Sequence, residues 1–69
     1  RITDREFEIF QLIGRGMSPK QIAGQLNISV KTIGTYRERI KEKLGLGSAG
    51  ELVRYAVIWA ETGVFKGSD

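Results

Sequence analysis

Helix-start signals recur along this 69-residue chain so closely that they leave little room for anything but helices. Thr3-Asp4-Arg5-Glu6 is a T-x-x-E capping box, in which the threonine side chain and the glutamate satisfy each other's free backbone N–H groups. It predicts a first helix over about 4–15, with Gly16 as its left-handed terminator. Ser18-Pro19-Lys20-Gln21 is a second box, S-x-x-Q, with Pro19 at the first helical position, where a missing N–H does no harm. The helix it opens is short, about 19–26, and Asn27 can take the left-handed turn after it. Ser29 caps a third helix over about 30–44, which stops at Gly45 or Gly47. Ser48-Ala49-Gly50-Glu51 is another S-x-x-E box and opens a fourth helix over about 49–62, ended by Gly63. A short tail, 64–69, remains. No stretch alternates apolar and polar residues with strand punctuation, so the chain is expected to be all-α, one domain over 1–69.

Helical spacing nominates the core. Ile9, Phe10, Leu12 and Ile13 should face inward from the first helix, and Ile22, Ala23 and Leu26 from the second. Ile33, Ile40 and Leu44 do so from the third, and Leu52, Val53, Ala56, Trp59 and Ala60 from the fourth. Cysteine and histidine are both absent, which removes disulfides, thiolate metal sites and the commonest general base. No paired carboxylates at catalytic spacing and no phosphate loop are found, so no catalytic residue, metal or cofactor is assigned and no enzyme is expected. The first residues are too charged for a signal peptide, and no run approaches the ~18 apolar residues of a membrane span. A cytoplasmic protein with no membrane partner is expected.

The charge is concentrated. Residues 29–44 hold five bases, Lys31, Arg37, Arg39, Lys41 and Lys43, against the two acids Glu38 and Glu42. Everything outside that stretch sums to zero, so one segment carries the whole net charge of +3. A solvated helix face is one explanation; the electrostatic footprint of a nucleic-acid site is another. The second and third helices, joined by the tight turn Asn27-Ile28-Ser29, make a helix-turn-helix pattern over about 21–40, and this pattern coincides with the basic segment.

Laid out at about 100° per residue, the third helix puts Lys31, Gly34, Thr35, Glu38 and Glu42 opposite its core residues. Thr32, Tyr36, Arg39 and Lys43 fall on one flank, and Arg37 and Lys41 on the other. A ridge between basic shoulders suits a helix in the major groove: the ridge reaches base edges while the shoulders neutralise phosphates. Lys31 could donate to guanine or to phosphate, and Thr35 could present its methyl or its hydroxyl. Glu38 could accept from cytosine N4 or pair with Lys41 or Lys31, and Tyr36 could contact phosphate or rest on the domain edge. Ser18, Lys20 and the N–H groups opening the second helix could hold another phosphate.

Thr3-Asp4-Arg5-Glu6, Gly16-Met17-Ser18-Pro19-Lys20-Gln21-Ile22-Ala23, Leu26-Asn27-Ile28-Ser29-Val30-Lys31-Thr32-Ile33 and Lys43-Leu44-Gly45, in that order, resemble the LuxR-type (GerE/NarL/FixJ) DNA-binding domain. The likeness covers about residues 2–65. It implies a four-helix bundle whose third helix reads the major groove, in the output domain of a two-component response regulator. It implies groove contacts at Gly34, Thr35 and Glu38, and backbone contacts at Ser18, Lys20, Lys31, Thr32, Tyr36, Arg37 and Lys43. Tyr36 stands where many members carry histidine, and Gly34 brings no side chain to a reading position. The chain begins almost on its first helix cap, so a receiver domain is expected outside it.

The fourth helix is unusually apolar. With its core face inward, the opposite stripe is Glu51, Arg54, Tyr55 and Ile58, so Tyr55 and Ile58 are expected to be exposed as a homodimer seam. The resemblance points the same way: a weakly associating domain that pairs through this helix on double-stranded DNA, with RNA polymerase as a further partner. The alternative from another class is a helical interaction module whose basic helix docks on an acidic protein.

Overall fold

In the computed structural model, which describes residues 1–63, four helices run in the expected order. They are α1 (Asp4–Gly14), α2 (Pro19–Leu26), α3 (Val30–Leu44) and α4 (Ala49–Thr62). The expected tail, 64–69, lies outside the described residues.

The caps explain the boundaries. In α1 the Glu6 N–H donates to Thr3 Oγ1 at 3.1 Å and the Thr3 N–H donates to Glu6 Oε1 at 2.9 Å. In α2 the Gln21 N–H donates to Ser18 Oγ at 3.1 Å and the Ser18 N–H donates to Gln21 Oε1 at 2.8 Å. Ser29 caps α3 by accepting from the Thr32 N–H at 3.0 Å. The third expected box is only half formed. Ser48 Oγ accepts from the Glu51 N–H, but Glu51 Oε1 reaches one residue further back and takes the Gly47 N–H at 2.6 Å. The far ends close in the expected left-handed way. Asn27 lies at φ 60°, and the Ile28 N–H reaches back to the Ala23 carbonyl. Gly16, one residue beyond the cap of α1, has φ 86°, and the Met17 N–H returns to the Leu12 carbonyl. Of the two glycines offered after α3, Gly45 makes the stop, at φ 70°, with the Leu46 N–H returning to Lys41. Helix α1 ends at Gly14, one residue short of the expected boundary.

The core gathers Ile9, Phe10, Leu12 and Ile13 of α1, Ile22 and Ala23 of α2, Ile33 and Ile40 of α3, and Leu52 and Ala56 of α4, all buried. Leu26, Leu44 and Trp59 are half-buried around it. Two core expectations are corrected: Val53 is 39% exposed, and Ala60 is exposed as well. The reason is the crossing of α1 and α4. A Cβ on Gly14 would sit 2.5 Å from the Ala56 carbonyl oxygen, so the two helices meet backbone to backbone there. That contact fixes the rotation of α4. It points Tyr55 and Trp59 toward α1, edge-on to Phe10 at 5.7 Å and to Phe7 at 5.1 Å respectively between ring centres. Val53 is thereby turned outward, while Ala60, though exposed, keeps its methyl beside Gly14. Tyr55, expected on the exposed seam, is half-buried for the same reason.

Candidate nucleic-acid interface

Helix α3 sits on the domain with Ile33 and Ile40 fully buried beneath it. Tyr36, Arg37, Lys41 and Leu44 line the boundary, half-buried. Lys31, Thr32, Gly34, Thr35, Glu38, Arg39, Glu42 and Lys43 are exposed. The ridge read from the sequence is therefore solvent-facing along its whole length. Ser18 and Lys20, at the start of α2, are exposed too.

Hydrogen bonding divides these side chains. The Thr35 hydroxyl donates to the Lys31 carbonyl at 3.3 Å, which commits its proton to the helix and leaves its methyl and lone pairs outward. Thr32 and Ser29 share a hydroxyl–hydroxyl bond of 2.8 Å at the cap. Lys41 pairs with Glu38 at 2.9 Å; the glutamate side chain is 73% exposed and the lysine 18%. Of the two partners open to Glu38, the intrahelical pair is with Lys41. The Arg39 guanidinium lies 5.8 Å from the Tyr36 ring centre, a cation–π distance that stiffens this flank. Among the described residues, Lys31, Arg37, Arg39 and Lys20 form no ion pair, so their charge is directed at solvent. Beside the ridge, Leu46 and Gly47 of the α3–α4 connection help line a shallow depression with Thr35, Glu38 and Glu42.

Lys43 behaves differently from the other bases. Its Nζ donates to Glu6 Oε1 at 2.8 Å and to the Arg1 carbonyl at 2.7 Å, tying the last turn of α3 to the start of α1. Glu6 is 2% exposed. Burial by itself pushes its carboxyl up. The hydrogen bonds from Lys43 and the Thr3 N–H, together with the lysine charge, outweigh that and hold it below its ordinary value of 4.5. The sequence marks Glu6 only as the end of a capping box. Its second partner lies 37 positions away, and no local pattern announces it. The Lys43 ammonium, expected at a phosphate, is engaged within the protein in the free domain.

On α4, Glu51, Arg54 and Ile58 of the expected seam are exposed, Ile58 at 45%. Val53 joins them as an exposed large apolar residue, while Tyr55 does not. Among the described residues, no group of three acidic, histidine or cysteine side chains is placed to hold a metal, and no helix is long and apolar enough to cross a membrane.

The model of the family described as bacterial regulatory proteins, luxR family (GerE), matches residues 1–56. Among curated relatives, the oxygen regulatory proteins NreC of Staphylococcus aureus strains JH9, JH1 and Mu3 are each 46% identical to this chain over 56 residues. Each match covers 81% of the chain and 26% of the relative, so the chain spans about a quarter of the length of these proteins. No solved structure matches the chain. The capping boxes, the helix-turn-helix and the basic α3 all fall within the matched residues, and the chain belongs to the luxR family of bacterial regulatory proteins.

Proposed function

We propose that this chain is a sequence-specific double-stranded DNA-binding domain of a bacterial transcription regulator, acting in the cytoplasm with α3 in the major groove. The observation that carries the reading is the arrangement of α3. A solvent-facing ridge that carries Lys31 is flanked by Arg37 and Arg39, none of the three is neutralised by an ion pair among the described residues, and Ile33 and Ile40 anchor the opposite side. A helix held from beneath, with its cations turned outward, can lay charge along two phosphate walls without losing its packing. Thr35 and Glu38 are the proposed base-reading side chains, with Gly34 between them and Lys31. Ser18, Lys20, Lys31, Thr32, Tyr36 and Arg37 are the proposed backbone contacts. Lys43 is left out of the set because Glu6 holds it.

Family membership and the relatives' description as oxygen regulatory proteins support a role as the output domain of a response regulator. Pairing on DNA through α4 is part of the same reading, with Glu51, Arg54 and Ile58 on the contact face and the exposed Val53 beside them. RNA polymerase enters as a partner through the family alone. The test is selection of bound duplexes from a random pool. Enrichment of a common motif, with two inverted half-sites about one helical turn apart, supports the reading. Recovery of unselected sequence, or of nothing, overturns it.

A further inference from the structure

Resting on the DNA reading above, we infer that Arg39 carries the phosphate contact on the Tyr36 flank of α3, with the Tyr36 ring as the positioning surface that holds its guanidinium. That flank of α3 has two cations, Arg39 and Lys43. Lys43 is engaged by Glu6 and by the Arg1 carbonyl, which leaves Arg39 as the free cation there. The other flank is arranged alike: Lys41 is paired with Glu38, and Arg37 is left. Arg39 is exposed, and its Cζ lies over the Tyr36 ring, 5.8 Å from the ring centre. Tyr36 is half-buried and packs against the core, so the ring is fixed to the fold.

The choice of partner calls for a reason. Glu42 follows Arg39 by three positions and lines the same depression, as Glu38 does, yet Arg39 forms an ion pair with neither. Arg5 meets the same spacing in α1 and does pair, with Glu8 at 3.2 Å. Arg39 instead leans toward the start of its helix, the direction that helical side chains favour, and rests over the residue three positions before it. The two kinds of partner differ in consequence. A carboxylate takes up both the charge and the N–H donors of a guanidinium. A ring attracts the cation through its quadrupole and takes up neither. Arg39 is thereby held in place while its charge and donors stay open to an oxygen anion, and less side-chain freedom is left to lose when a phosphate arrives. A direct hydrogen bond from the Tyr36 hydroxyl to phosphate is the rival account, and phenylalanine at this position separates the two.

The experiment compares Tyr36→Phe, Tyr36→Leu, Arg39→Gln and the combined Tyr36→Leu, Arg39→Gln variant with the parent 69-residue chain, by titration of the duplex selected for the parent over a range of salt. Arg39→Gln should weaken binding about tenfold and lower the slope of log affinity against log salt by about 1. Tyr36→Leu should reproduce most of both changes although it removes no charge, and a lower salt slope is not what lost packing alone would produce. Tyr36→Phe should keep the affinity and slope of the parent. The combined variant should lose little more than Arg39→Gln alone, because the ring acts through the arginine. In the free parent, nuclear Overhauser contacts should join the Arg39 side chain to the Tyr36 ring and persist in Tyr36→Phe, a reading that needs no folded Tyr36→Leu. Absence of those contacts overturns the inference. So do additive losses in the combined variant, an unchanged salt slope in Arg39→Gln, or a Tyr36→Phe that binds as weakly as Tyr36→Leu. If the parent enriches no duplex at all, the DNA reading falls first and takes this inference with it.

Discussion

Lys43 Nζ lies 2.8 Å from Oε1 of Glu6, joining the end of α3 to the start of α1 across 37 positions of sequence. The same carboxylate oxygen accepts the Thr3 N–H, so one buried acid both caps α1 and anchors the helix proposed to meet DNA. The orientation of α3 on the domain is thus set by Ile33 and Ile40 beneath it and by an ion pair at its last turn.

Breaking this pair should be asymmetric. Lys43→Met leaves a buried carboxylate without its counter-charge and should cost about 3 kcal/mol of unfolding free energy. Glu6→Gln should cost less, about 1 kcal/mol. Glutamine can complete the capping box, as Gln21 does in α2, and the lysine side chain is 30% exposed and can turn to water. Urea unfolding of both variants checks the order; a larger loss in Glu6→Gln would contradict it.

Acid should act through the same residue. The Glu6 carboxyl titrates below its ordinary value of 4.5 in the folded state. A depressed folded value means that the stability it contributes is complete above the unfolded carboxylate range. That stability is lost as pH falls through the folded value. The parent chain should therefore lose stability below about pH 4.5 more steeply than Glu6→Gln, with the two curves parallel near neutrality. Equal slopes in acid would remove Glu6 from the account.

Gly14→Ala should destabilise the domain by about 1–3 kcal/mol despite the better helix propensity of alanine, because the new methyl overpacks the crossing with Ala56. Thermal unfolding reads it directly. A neutral or stabilising effect would mean that α1 and α4 can part at no cost.

Neutralising Arg37 or Lys31 should weaken duplex binding evenly across sequences. Each phosphate left without its cation should reduce the slope of log affinity against log salt by about 1. Glu38→Gln should instead change base preference at one position while leaving that slope nearly unchanged. A change of base preference in the Lys31 variant would make that lysine a base reader.

Ile58→Glu and Tyr55→Glu separate the seam from the core. Ile58 is 45% exposed, so the charge should alter stability by no more than about 0.5 kcal/mol while abolishing cooperative binding to paired half-sites. Tyr55 packs on Phe10, and the same substitution there should destabilise the fold itself by about 3 kcal/mol. Sedimentation on and off a two-site duplex, beside thermal unfolding, distinguishes them. Cooperative binding that survives Ile58→Glu would place the pairing surface elsewhere.

Much of this architecture is readable in the chain because its signals are local. Threonine, serine, asparagine and glycine at fixed offsets set all four helices, and the buried underside of α3 follows from the spacing of Ile33 and Ile40. The departures fall where a contact joins distant residues. Helix α4 carries apolar residues on most of its circumference, so spacing alone does not orient it; the contact of Gly14 with Ala56 does, turning Tyr55 in and Val53 out. The partner of Lys43 is hidden for the same reason. Glu51 departs on a smaller scale, since its reach to Gly47 in place of Ser48 is a choice between two adjacent N–H groups.

The self-contained helix ends described above also bear on kinetics. Each start is closed by a hydroxyl three residues from the N–H it accepts, so little of the initial ordering waits for remote parts of the chain to meet. Chains dominated by such nearby interactions cross their barrier in roughly microseconds to milliseconds. A domain of this kind can finish assembling soon after its last helix leaves the ribosome.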